Sequence, residues 1–392
     1  MPLPSHRHPD IIVVGGGVIG LSIAWELAKR DLTVTVLERD EFGKAASWAG
    51  AGILPPPPGP GADHPLDELA RRSSSLHPVW ADQLQELTGI DTGYQNCGGL
   101  YLARHAGEVA SLSANVESWR DEGLQFERWS VEQLIEREPY LRHAAESGKA
   151  KRAFWVSGES QLRNPRHLKA LQSACKDRGV SLCPQSPVQS LQRHGSEWKV
   201  VTTQGTKITQ QVCIASGAWT ALLTESVGVV PDIVPIRGQM RLYQTDAPLL
   251  TSILNEGPRY LVPRKDGLLL AGSTEEDAGF EVTTTEAGLE SLQKFAESWL
   301  PQLTPDRCLQ SWAGLRPGSV DGFPYLGRVP EHPGLFVAAG HFRNGLYLSP
   351  ATAELVADLM TGKTPGFDIA PFSIGRGLHL TTPASPSSPP SL

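Results

Sequence analysis

The stretch DIIVVGGGVIGLSIAWELA, residues 10–28, constrains the fold more than any other. Residues 10–14 form a short apolar run rich in β-branched side chains, which predicts a buried strand. Glycines follow at once, then a helical stretch over 18–30, and residues 33–38 (TVTVLE) predict a second strand. Strand, tight turn, helix and strand make a βαβ unit, which requires a parallel sheet and an α/β fold. The glycines fall as Gly15-x-Gly17-x-x-Gly20, and Glu38 ends the second strand 23 positions after Gly15. Each has a task in a dinucleotide-binding turn. Gly15 permits the tight turn, Gly17 lets backbone approach a pyrophosphate, and Gly20 lets helix and strand pack closely. The helix N-terminus stabilises the phosphates, and Glu38 can accept from ribose hydroxyls. The spacing alone does not separate NAD from FAD.

The same apolar stretch could imitate a signal or membrane segment. Glu26 interrupts it, its glycines weaken a spanning helix, and MPLPSHRHPD is a poor leader, so neither targeting nor a membrane is expected. The formal net charge is −7 and there is no lysine/arginine block, which argues against nucleic-acid partners and anionic membranes. Five cysteines (97, 175, 183, 213 and 308) are scattered and never spaced C-x-x-C, and no N-x-S/T acceptor occurs. That argues against both a disulfide framework and a structural zinc site, and suits a reducing cytoplasm.

PPPPGPG at 55–61 reads as a surface loop, and leucines with Trp80 give helical spacing over 65–88. SVEQLIEREP at 130–139 opens with a Ser130/Gln133 capping box. The helix over 164–179 has Asn164 as expected N-cap, Pro165 in its first turn and Gly179 after its end. Residues 188–216 alternate as β structure does, and 284–300 predict another amphipathic helix. GKT at 362–364 follows a helix and lacks the first glycine of a phosphate loop, so Gly362 reads as a helix end. SACK at 173–176 lies inside a helix, and His6 and His8 carry no metal-site pattern. The tail 381–392 is rich in proline and serine with almost nothing to bury, so residues 377–392 are expected to be disordered.

Two later segments repeat the theme of a strand running into glycine: VCIASGAWT at 212–220 and GLFVAAGHFRNG at 334–345. With the first βαβ unit they suggest three separated pieces returning to one sheet. The second carries Arg343 in a glycine-flanked loop, an unexplained cation in an acidic chain.

ASWAGAGILPP (46–56), RYLVPRKDGLLLAGST (259–274), WAGLRPGSVDGFPYLGR (312–328) and AAGHFRNGLYLSPATAELVADL (338–359) resemble the D-amino-acid-oxidase superfamily of flavoproteins. The likeness runs from about Asp10 to about Phe372 and is greatest to the glycine oxidase branch associated with making the thiazole of thiamine. It implies a discontinuous Rossmann-like FAD-binding domain (1–90, 150–228, 310–376) and an α+β substrate domain with a mostly antiparallel sheet (91–149, 229–309). FAD contacts would come from Val18 and Ile19, Glu38 and Arg39, the small-residue stretch Ala46, Ser47, Ala51, Gly52 and Ile53, and backbone near Val188. The loop His341, Phe342, Arg343, Asn344, Gly345, Leu346 and Tyr347 would lie against the flavin ring, and Tyr260, Arg316 and Arg343 would hold a substrate carboxylate.

The resemblance implies oxidation of glycine or another small amino acid or amine. Hydride passes from Cα to flavin N5, the imine hydrolyses to a 2-oxo acid and ammonia, and oxygen is reduced to hydrogen peroxide. A hand-off to thiazole synthesis and a homo-oligomer also follow by analogy, and no metal is needed. A sarcosine or D-amino-acid oxidase or dehydrogenase is the alternative. Pro258, Glu275 and Trp48 depart from the family pattern and put substrate preference in question. No cysteine follows Cys308, so the FAD is expected to be non-covalent.

Overall fold

A computed structural model describes residues 8–376. His6 and the stretch 377–392, with its expected disorder, lie outside the described residues. The strand Ile11–Val14 is the centre of a six-stranded sheet. It pairs in parallel with Val34–Leu37 on one side and Gln211–Ile214 on the other, so Ile11 lies between Val34 and Gln211. Leu335–Ala339 and Ser181–Cys183 extend the sheet in parallel, and Tyr325–Arg328 closes one edge antiparallel. The three separated segments therefore do return to one sheet. Its central strands are buried on both faces, which is why they read as unbroken apolar runs.

The helices Val18–Ala28, Leu66–Thr88, Asn164–Asp177 and Gly345–Met360 share the core on one face. Trp25 and Trp80 meet there edge to face at 4.7 Å. Fully burying a large side chain of this kind contributes about 1.5–3 kcal/mol. A three-stranded antiparallel layer, Val188–His194, Glu197–Thr202 and Gly205–Thr209, covers the other face through Leu191, Trp198 and Val200.

The second half is an eight-stranded sheet, antiparallel except where Ile253–Glu256 runs parallel to Gly99–Ala103. Its long pair is Ile233–Gln244 against Cys308–Ser319, and the helix Glu286–Trp299 packs on it through Phe295 and Trp299. Arg152–Val156 and Cys308–Ser319 hydrogen-bond within this sheet.

Local signals hold in most places. Ser130 and Gln133 form the reciprocal capping box, and Gly362 takes a left-handed φ of 79° after its helix. One differs. Asn164 is the first residue of its helix and does not cap it, because its carboxamide is engaged elsewhere.

Candidate active site

A cavity of about 590 Å³ opens at the carboxyl ends of the parallel strands, between the two large sheets. Every cofactor or substrate residue named from the sequence lines it except Gly20 and Tyr347. A Cβ on Gly20 would stand 1.9 Å from the carbonyl oxygen of Gly15, so that glycine serves helix–strand packing. The Tyr347 hydroxyl bonds Ser74, and its carbonyl bonds His77, which places it in the helical core.

The first turn is built as its sequence implies. Gly15 has φ 113°, and a side chain there would collide with the carbonyl of Ala215. Glu38 accepts from the backbone N–H of Gly16 at 2.7 Å and of Asp40 at 3.0 Å, which fixes its carboxylate at the cavity edge. The Val18 N–H donates to Ser47 Oγ at 2.9 Å, tying the turn to the small-residue stretch. Arg39 stacks 3.5 Å from the ring centre of Trp219, a flat platform at the same end.

The stretch from Ala46 to Ile53 is held from outside by residues not expected at the site. Asn164 Nδ2 donates to the Ser47 carbonyl at 2.7 Å, Trp312 Nε1 to that of Ala49 at 3.0 Å, and Arg264 to that of Ala51 at 2.7 Å. Gly52 has φ 78°, and a Cβ would fall 1.9 Å from the carbonyl of Leu162, so only glycine fits. Trp48, one of the departures from the family pattern, is not part of the wall; it packs on Trp312 with ring centres 5.1 Å apart.

Tyr260, Arg316 and Arg343 line the same cavity. Tyr260 lies in the strand Arg259–Pro263 and Arg316 in the strand Cys308–Ser319. The Arg316 guanidinium lies over Gly238, where a Cβ would meet both terminal nitrogens at 2.2 Å. It donates to Ser273 Oγ at 2.7 Å and the Thr274 carbonyl at 3.2 Å, both neutral partners. Burial lowers its pKa, and nearby Arg343 lowers it further against the opposing pull of Tyr260 and Glu275.

Arg343 lies in the short turn Phe342–Asn344 and is paired with Glu275. The left-handed positions of this loop are Gly340 (φ 81°) and Phe342 (φ 48°), whereas Gly345 begins the following helix. Positive φ at an aromatic residue is uncommon and marks a fixed backbone path. His341 anchors the loop by its bond to Thr352 at 3.2 Å and its backbone bridge to Gly318.

Asn255, the cross-strand partner of Tyr260, also lines the cavity. Its Nδ2 donates to Glu159 Oε1 at 3.0 Å, and Tyr101 donates to the other oxygen of that carboxylate. Glu159 is fully buried, and desolvation raises its pKa to about 7. No sequence motif announced this trio.

The wall fits a flavin dinucleotide. The phosphate turn and the small residues Ala46, Ala49 and Ala51 line one cavity, and Asn164 Oδ1 is buried without a partner in its wall. An acceptor in that state is costly unless a ligand donor meets it. The cavity wall contains no cysteine, and Cys308 bonds within its own strand. Among the described residues no cluster of three potential metal ligands occurs.

Fold and cavity together are those of a dinucleotide-dependent oxidoreductase. The chain belongs to the FAD dependent oxidoreductase family, which matches residues 10–359, and its cofactor is FAD. It is 37% identical over 373 residues to a glycine oxidase of Geobacillus kaustophilus, covering 95% of this chain and 98% of that one. A crystal structure of glycine oxidase from Geobacillus kaustophilus superposes with a TM-score of 0.88 at 36% identity, over 95% of this chain and all of that one. A Synechocystis bifunctional protein ThiO/ThiG is 34% identical over 95% of this chain, which spans 55% of that protein's length.

Proposed function

We propose that this chain is an FAD-dependent oxidase of glycine or a comparably small amino acid. The reading rests on one observation: Tyr260, Arg316 and Arg343 line the same cavity as the dinucleotide turn. A carboxylate brought into such a site must be paired, and arginine fixes its orientation as well as its charge. FAD supplies the two-electron acceptor for the Cα hydrogen, with oxygen then reduced to hydrogen peroxide.

The chain's own residues bind, orient and enclose. Arg316 and Arg343 hold the carboxylate, the Tyr260 hydroxyl adds a neutral donor, and Asn255 offers a fixed amide beside them. Held at one end, a small amino acid has few orientations left, and that positioning is the largest contribution the protein makes. The small wall residues Ala46, Ala51 and Gly52 would lie beside the flavin, while Gly15, Gly17, Glu38 and Arg39 would take the nucleotide. The cofactor half is then the six-stranded sheet with its helices, and the substrate half the eight-stranded sheet.

The oxidation product is an imine that hydrolyses to a 2-oxo acid and ammonia, or is passed on to thiazole synthesis. Similarity to the bifunctional ThiO/ThiG protein supports the second route. We take the protein to be cytoplasmic and homo-oligomeric, with FAD held non-covalently. Its five cysteines are free, and no helix among the described residues is long and apolar enough to cross a membrane. The purified protein should be yellow, glycine should bleach it in the absence of oxygen, and air should restore the colour with stoichiometric peroxide. Bleaching by no small amine or amino acid would overturn the reading.

A further inference from the structure

The Arg343 guanidinium meets an internal carboxylate. Glu275 Oε2 accepts from Arg343 Nε at 3.2 Å and also from Nη2. Glu275 immediately follows Ser273 and Thr274, the two partners of Arg316. One short segment therefore touches both cavity arginines. The neighbouring Glu276 is committed elsewhere, to Arg237 and Gln239. Glu275 is about half exposed, with 49% of its side-chain surface open.

Charge counting gives the consequence. Arg316 and Arg343 line the cavity, and Glu275, which pairs with Arg343 from outside the wall, leaves this group of three a single net positive charge. One ligand carboxylate balances it. A second carboxylate on the same ligand would find no remaining cation and would sit close to Glu275. Repulsion of the wrong ligand is as effective a source of selectivity as attraction of the right one.

We propose that Glu275 is a specificity-determining residue of this site, admitting ligands with one carboxylate and rejecting those with two. The proposal rests on the carboxylate-binding reading given above. The test compares acetate and malonate binding to the FAD-loaded protein, followed by the change each causes in the visible flavin spectrum at fixed ionic strength. Glu275→Gln keeps the shape and removes the charge.

The wild-type protein should bind acetate more tightly than malonate. In Glu275→Gln the ratio of malonate to acetate affinity should rise about tenfold, the scale of one like-charge contact at a partly exposed site. Both anions gain equally if Glu275 does no more than compete for Arg343; an unchanged ratio would overturn the proposal while leaving the carboxylate site intact. If neither anion perturbs the wild-type flavin, the carboxylate reading falls and the proposal with it. Arg343→Ala should weaken both anions together, which separates loss of the site from loss of selectivity.

Discussion

The carboxamide of Asn164 and the carbonyl oxygen of Ser47 are joined at 2.7 Å, although 117 residues of chain separate them. Ser47 Oγ in turn accepts from the Val18 N–H. A helix, the small-residue wall and the phosphate turn are thereby one hydrogen-bonded unit. Asn164→Ala breaks it and leaves a partly buried carbonyl without its donor, at a cost of about 0.5–1.5 kcal/mol. FAD affinity, measured by titrating apoprotein, should fall roughly tenfold or more, with helix content by circular dichroism unchanged.

Gly238 makes room for Arg316, since a Cβ there would overlap both terminal nitrogens of the guanidinium. Gly238→Ala should displace that side chain without touching the phosphate turn. KM for glycine is expected to rise about tenfold or more, the scale of a lost charge-assisted contact. FAD content should stay stoichiometric. An unchanged KM would show that Arg316 does not meet substrate.

Arg343→Ala removes the cation and leaves only a half-exposed glutamate behind. The loss of kcat/KM should reach about 10²–10³-fold, from roughly 3–4 kcal/mol of paired-charge interaction. The protein should remain yellow, because the loop is also held by His341 through Thr352 and Gly318.

Three buried histidines make stability depend on pH. Burial lowers the pKa of His77 to about 4 and those of His167 and His341 to about 3. Unfolded, each binds its proton near pH 6.5, so the unfolded state takes up more protons below that value. Their contribution is complete above about pH 6.5 and is lost as pH falls toward 3–4. Glu159 acts in the opposite sense between about pH 7 and 4.5, because its folded pKa is raised. Urea unfolding should therefore give lower stability at pH 5.5 than at 7.5, and Glu159→Gln should steepen the fall. A flat profile for that variant would contradict the buried-histidine account.

Sequence and structure agree best where backbone geometry dictates residue type. The first βαβ unit, Gly15, Gly17, Gly20 and Glu38 were legible because a tight turn and close packing allow few substitutes. Arg316, Arg343 and Tyr260 were legible through long family motifs, not through spacing. Asn164 was read as a helix cap because local pattern cannot show a partner more than a hundred residues away. Glu159, Asn255 and Arg264 were invisible for the same reason: each acts across strands whose pairing no local window encodes. Phe342 defeated another local rule. Its positive φ stands where glycine would be expected, held by the anchored His341 beside it.

The order in which the sheet is threaded bears on how the protein is made. Ile11 pairs with Gln211, and Val212 with Leu335, so the central sheet remains open until its last long strand is synthesised. Contacts that distant are slow to form, because loop closure must be met before pairing rewards it. The flavin slot needs residues from both ends of this span. The cofactor therefore has no complete site on a nascent chain. It acts late, as a ligand that draws the finished fold forward by mass action rather than as a template for it.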